Sequence, residues 1–252
     1  MLLTKKASRF NEIGVYETSE LYGRTGKYRI LQFADGAVQG AMDMKEPQRV
    51  VLEYQRAIIH LMDWNDPDFR SAFLIGHGTG TIAGHYPGKP FVVAEIDEMV
   101  VELSREYFGY RPHNVLIGDG RELLEEQMPN AFDYIILDAF TSKGTPMHLT
   151  TLEFFQTVMD KLRSGGAIIL NLAGKLRNDR LSSAIHTTLS ETCAYTRVFF
   201  LPVNGAGMDD SGNMIMIGSN RPIQAQSGLT AGFAEIEMEQ GHMIRDSKQH
   251  NV

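Results

Sequence analysis

An apolar run that breaks into glycines, Ala72-Phe-Leu-Ile-Gly-His-Gly-Thr-Gly-Thr81, constrains the fold of this chain more than any other stretch. It is answered by a second apolar run, Phe91-Val-Val-Ala-Glu-Ile-Asp97. A strand buried on both faces of a parallel sheet reads as a continuous hydrophobic run. Glycines at its C-terminal end let the backbone come close to a ligand. A carboxylate ending the next strand, here Glu95, can bridge the two hydroxyls of a ribose in a nucleoside-binding α/β fold. The pair predicts a nucleoside site built on a parallel sheet.

The glycine spacing narrows the ligand. The dinucleotide fingerprint G-x-G-x-x-G, started at Gly76, would place its third glycine where Thr81 stands. Gly76-x-Gly78-x-Gly80 instead resembles the first motif of S-adenosylmethionine-dependent methyltransferases and their relatives. Only ten residues separate Gly80 from Phe91, and Gly84 and Pro87 interrupt them, so a turn or helical stub is expected after the loop. Its dipole contributes little to ligand binding.

Apolar runs at 72–76, 91–95, 115–118, 133–138 and 166–171 predict strands, with helices near 98–108, 121–127 and 151–163 between them. Thr150 and Glu153 have the spacing of a capping box for the last helix, and Gly165-Gly166 would stop it. A further helix carries Leu181, Ile185 and Leu189, and then strands at 196–201 and 213–218 flank a glycine-rich loop. Two strands with no helix between them form an antiparallel pair. The result is a seven-stranded, Rossmann-like α/β domain of the class I methyltransferase type. Short β-prone runs between 13 and 40, with a turn at Asp35-Gly36, predict a small antiparallel unit before it. Pro47 suits a first helical position, with Val50, Tyr54, Ile58 and Leu61 as the apolar stripe. The expected organisation is a β unit over 1–45, an adenosyl-binding domain over 46–220, and a surface tail over 221–252 whose weak periodicity suggests fraying.

Composition limits partners. A net charge of -7 argues against nucleic-acid binding, which requires basic surface. Cys193 is the sole cysteine, so it reads as core filler, and cysteine-based zinc sites are excluded. The histidines show no metal-site spacing, so no metal is expected. No stretch has the length of a membrane span and Met1–Phe10 has no leader-like apolar run, so the expected location is cytoplasmic.

Several motifs together resemble the spermidine/spermine synthases, the polyamine aminopropyltransferases, from about Gly26 to Gly218. They are Ala34-Asp35-Gly36-x-x-Gln39, the glycine loop, Ala94-Glu95-Ile96-Asp97, Gly118-Asp119-Gly120-Arg121-Glu122 and Ile135-Ile-Leu-Asp138. The resemblance implies decarboxylated S-adenosylmethionine as aminopropyl donor and a small-molecule amine as acceptor. Glu95 would hold the ribose, Ile96 would pack on the adenine, and Asp119 with Gly120 would meet the adenine amine. Gln39 would reach the ribose or sulfonium side. The resemblance also implies a homodimer through the N-terminal strands.

Three motifs depart from the family pattern. Thr79 stands where the glycine loop carries an aspartate, and Thr141 stands where a second aspartate follows the fourth-strand one. A Y-H-E helix motif is reduced to Val51-Leu52-Glu53. The segment from Asp138 to Thr150 is similar to a divergent spermidine-synthase-like branch.

Attack on carbon beside a sulfonium needs a neutral amine held in line, with a base nearby. Asp138 is the first candidate, at a strand end facing the ligand crevice; a loop-capping aspartate is the alternative. Asp119 reads equally as a turn former. His77 and His148 are bases or polar loop residues, and Asp35, Asp43, Glu46 and Glu53 are an acidic rim or solvated groups. The rival functions are methyl transfer from S-adenosylmethionine to a small molecule, which Thr79 and Thr141 favour, and nucleoside binding without catalysis.

Overall fold

The computed structural model describes residues 1–141, 144–202, 211–225 and 232–247. Most of the glycine-rich loop expected between the last two strands lies outside them.

The N-terminal unit is a four-stranded antiparallel sheet in the order β1 (Leu2–Ala7), β2 (Glu12–Leu21), β3 (Arg24–Phe33), β4 (Val38–Asp43). After α1 (Glu53–Asn65) the chain alternates: β5 (Ala72–Ile75), α2 (Thr81–His85), β6 (Phe91–Glu95), α3 (Glu98–Phe108), β7 (Val115–Ile117), α4 (Gly120–Glu125), β8 (Phe132–Leu137). Then follow α5 (Leu152–Lys161), β9 (Leu162–Lys175), α6 (Arg180–Ser190), β10 (Tyr195–Pro202), β11 (Ser211–Ser219) and β12 (Ala234–Ile236).

The main sheet has the order β12-β10-β11-β9-β8-β5-β6-β7. Strands β5 to β9 are parallel, and β11 returns antiparallel between β9 and β10. From β5 the chain winds outward to β6 and β7, then crosses back to β8 on the other side. The C-terminal ends of β5 and β8 therefore flank a topological switch point, where ligands of open α/β sheets bind.

Alternate residues of each strand feed the two faces, as the pleat requires. Phe73, Ile135, Leu137, Ile168 and Leu170 pack with Leu124 of α4, Phe154 and Val158 of α5, and Ile185 of α6. Leu74, Ile136, Ile169 and Ile215 pack on the opposite face with Ile58, Leu61 and Met62 of α1 and with Ile82 of α2. The N-terminal sheet joins the main domain through Ile13, Val15 and Leu31 against Val100 and Leu103 of α3. Ser8 adds a hydrogen bond to Asp97, whose other carboxylate oxygen caps α3 by accepting from the Met99 N–H.

Four local expectations are corrected. Pro47 lies in a turn, and α1 begins at Glu53 after the extended Leu52. The stretch around Val50 instead bridges to Met42, a pairing that sequence periodicity does not register. Thr151, not Thr150, caps α5, and Glu153 accepts from the Asp246 N–H rather than closing a capping box. Helix α5 ends at Lys161, before Gly165-Gly166, which lie within β9. The segment beyond 221 is not merely a frayed surface tail: β12 adds an eighth strand beside β10, and Phe233 and Ile244 are buried.

Candidate functional site

Chain geometry at the switch point explains the glycines. Gly76 has φ +99°, and a Cβ there would collide with the Asp138 carbonyl, so only glycine lets β5 turn away beside the end of β8. Gly78 has φ +54°, and a Cβ would sit 2.8 Å from the Gln39 carbonyl oxygen. Glycine at Gly40 leaves room for the Thr79 side chain. The N-terminal sheet thus lies directly on the loop, which brings Gln39 to the main sheet's ligand edge.

A cavity of about 510 Å³ opens there, within the range of small-molecule sites. Of the residues singled out from sequence, Gln39, Gly76, Gly78, Glu95, Ile96, Asp119, Gly120 and Asp138 all line it. Gly80 does not. It sits behind the loop at φ +80°, against the Tyr110 ring, and lines a different cavity. His77, His148 and Asp35 also face the first cavity. Asp43 is tied to Arg49 and to the Lys45 N–H, and Glu53 is paired with Arg24 and Arg56. Of the proposed acidic rim only Asp35 reaches the cavity lining.

Glu95 is almost fully buried at the end of β6. One carboxylate oxygen accepts from the His77 N–H at 2.9 Å and the other from the Asp97 N–H at 2.9 Å. Burial raises its pKa, and these N–H groups with that of Ile96 work against the rise. The carboxylate keeps lone-pair capacity beyond these N–H groups for a ligand hydroxyl. Ile96, next in sequence, is an exposed apolar side chain on the cavity wall.

Asp138 follows β8. Its Oδ1 accepts from the Asn171 side-chain amide at 2.9 Å, and Tyr54 of α1 also hydrogen-bonds it. Burial lifts its pKa to about 7; the bonds from Asn171 and Tyr54 oppose the rise, and the Glu95 charge adds to it. A carboxyl poised there exchanges protons readily near neutrality. Asn213 of β11 extends the chain of amides by donating to Asn171 at 3.4 Å. Neither Tyr54 nor Asn171 was expected at the site. Tyr54 reads as part of a helical apolar stripe; Asn171 carried one usable signal, an amide ending the apolar run 166–171.

Asp119 is the turn former of its second reading and also lines the cavity. Oδ1 caps α4 by accepting from the Arg121 N–H at 2.9 Å, while Oδ2 meets His148 Nε2 at 2.8 Å on the cavity side. His77 is buried. Its Nε2 lies 2.7 Å from Ser104 Oγ, and because that hydroxyl donates to the Val101 carbonyl, Nε2 carries the ring proton. Nδ1 is left as an acceptor with no hydrogen-bond partner among the described residues. Burial, and then the nearby Arg105 charge, depress the His77 pKa to about 4, so the imidazole is neutral. Among the described residues no cluster of His, Cys, Asp or Glu is arranged to hold a metal.

Strand order, switch-point cavity and strand-end carboxylate define an α/β protein of the class I methyltransferase type with an added N-terminal sheet. Residues 51–220 match the family model described as "Spermine/spermidine synthase domain", and the chain belongs to that family. Spermidine synthase of Schizosaccharomyces pombe is 30% identical over 172 residues, 64% of this chain and 53% of that protein. A polyamine aminopropyltransferase of Vibrio vulnificus is 25% identical over 241 residues, 90% of this chain and 75% of that protein. The chain thus spans about half the length of the first of these relatives. A probable spermidine synthase from Corynebacterium glutamicum has the same fold with a TM-score of 0.84 at 19% identity, covering 99% of this chain and 98% of that one. A spermidine synthase in complex with the transition-state analogue AdoDATO superposes with a TM-score of 0.70 at 19% identity, over 96% of this chain and 82% of that one.

Proposed function

We propose that this protein transfers an aminopropyl group from decarboxylated S-adenosylmethionine to a small amine, with Asp138 as the proton acceptor. The observation that carries the reading is the placement of Asp138, with a pKa near 7, in the same cavity as the ribose-type carboxylate Glu95. Glu95 receives the ribose hydroxyls on its free lone pairs, and Ile96 supplies an apolar face for the adenine. Asp119 and Gly120 border the adenine edge, and Gln39 reaches the cavity from the N-terminal sheet. The amine nitrogen attacks the aminopropyl carbon bonded to sulfur. The C–N bond forms as the C–S bond breaks, its electron pair returns to sulfur, and methylthioadenosine leaves as a neutral thioether. The proton shed by the amine passes to Asp138. Holding nucleophile and carbon in line supplies a large share of the rate.

A methyl-transfer reading is favoured by one observation: Thr79 packs on Gly40 and bonds Thr81, so the loop places no carboxylate there to repel the carboxylate that S-adenosylmethionine carries and its decarboxylated form lacks. Calorimetry with S-adenosylmethionine, its decarboxylated form, S-adenosylhomocysteine and methylthioadenosine separates the two readings. Preference for the decarboxylated donor and methylthioadenosine is expected; preference for the carboxylated pair would transfer the assignment to methyl transfer. Asp138→Asn is expected to keep donor affinity and lower kcat by about 10²- to 10⁴-fold, the usual loss on removing a general base. Residual activity equal to wild type would remove Asp138 from the mechanism.

A further inference from the structure

A second cavity, of about 520 Å³, lies behind the glycine loop. It adjoins the short helix α2. That helix spans only Thr81–His85, and the chain then runs through Tyr86-Pro87-Gly88-Lys89-Pro90 straight into β6. Beside this short connection lies a cleft walled by Tyr86, Phe91, Phe108 and Tyr110.

The charge of this cleft runs against that of the chain. The protein has 31 Asp and Glu against 24 Lys and Arg. Yet Arg49, Lys89, Arg111 and His85 line the cleft, and no carboxylate is among the described residues that line it. The nearest carboxylates act from outside: Asp43 pairs with Arg49, and Asp63 accepts from the Tyr86 hydroxyl. Lys89 donates to the Pro67 and Phe69 carbonyls, which carry no net charge. Arg111 and His85 are exposed, and neither has an ion-pair partner among the described residues. With Arg49 offset by Asp43, Lys89 and Arg111 are the lining cations that have no carboxylate partner among the described residues, and in a low-dielectric cleft they focus a field that attracts anions.

We infer that this cleft is a binding site for a small organic anion bearing phosphate or carboxylate groups, with Arg111 as the principal contact and Lys89 adding to the field. The aromatic and proline walls provide the apolar contact expected of a small-molecule site. It is separate from the adenosyl cavity, with Thr79 and Gly80 on its wall and Gly76 to Gly78 on the other.

The test is an amide NMR titration of the full chain with inorganic phosphate and, separately, citrate, against sodium chloride at matched ionic strength. Saturable shifts are expected at Thr81–Tyr86 and Gly109–Arg111, absent with chloride. A stronger response to phosphate or to citrate decides between the two anion types. Arg111→Ala, at an exposed position, is expected to weaken binding by about tenfold, the loss of one charge-assisted contact. Shifts that do not saturate, that fall on the adenosyl-cavity residues Gly118 and Gly120 instead, or that persist unweakened in Arg111→Ala would overturn the assignment.

Discussion

At Asp138 one buried carboxyl ties stability to pH. Its pKa of about 7 in the folded chain stands above the usual aspartate value of about 3.9 in an unfolded one. Between those values the folded state holds a proton that the unfolded state has released, so this group makes stability fall as pH rises from about 4 to about 7. Above that window its unfavourable contribution is constant, at most about 4 kcal/mol. Urea unfolding of Asp138→Asn against wild type should therefore show a stability gap that widens across the window and levels above pH 7; parallel curves would refute the raised pKa. Tyr54 and Asn171 both donate to the ionised form, so Tyr54→Phe and Asn171→Ala should each move the Asp138 titration to higher pH, read from its carboxyl carbon by NMR. The two carboxylates at strand ends were legible in sequence because each closes an apolar run, at the strand end that faces the ligand crevice in open α/β sheets. Tyr54 and Asn171 were not, since each reaches Asp138 from an element distant in the chain.

Among the elements, the loop between β5 and α2 gathers three glycines at positive φ, each closely packed. Gly80→Ala would place a side chain at φ +80° and into the Tyr110 ring. Left-handed strain alone costs on the order of 1–3 kcal/mol, and the displaced ring adds to it. Gly88→Ala, a few residues on, meets nothing within 4 Å and needs no positive φ, so it should be neutral or stabilise by about 0.4–1 kcal/mol. Denaturant midpoints of the two variants should move in opposite directions or differ by the whole cost at Gly80; equal midpoints would mean the loop relaxes freely. The central strands β5, β6, β8 and β9 were readable from sequence because burial on both faces keeps them largely apolar, whereas β12, an exposed edge strand, was not. The start of α1 was not, because the Met42–Val50 bridge between Pro47 and Glu53 is a tertiary contact without a local signature. Gly80 fits the motif spacing as well as its neighbours do, and only the folded loop shows it turned toward the second cavity.

For the whole molecule, the last described segment acts as a strap across α4, α5 and α6. Ile244 is buried in the core formed with α5 and α6; its N–H donates to Thr188 Oγ1 at 2.9 Å and its carbonyl accepts from the Leu152 N–H at 2.9 Å. Two residues on, Asp246 takes both guanidinium ends of Arg121, at 2.8 and 2.7 Å, beside the Asp119–His148 pair at the cavity rim. Sequence periodicity missed this because a strap anchored by one apolar side chain and a few backbone bonds has no repeat. The two anchors differ in kind. Burial of Ile244 is an apolar contribution, and Ile244→Ala should cost about 2–5 kcal/mol. The Arg121–Asp246 pair is near the surface, so Asp246→Ala should cost no more than about 1 kcal/mol in urea unfolding. Its effect belongs at the rim: with Arg121 released, hydrogen exchange should quicken at the α4 N-terminus, where Asp119 caps, while the main sheet stays protected. A large global loss in Asp246→Ala, or none in Ile244→Ala, would reverse that division between core anchor and rim clamp.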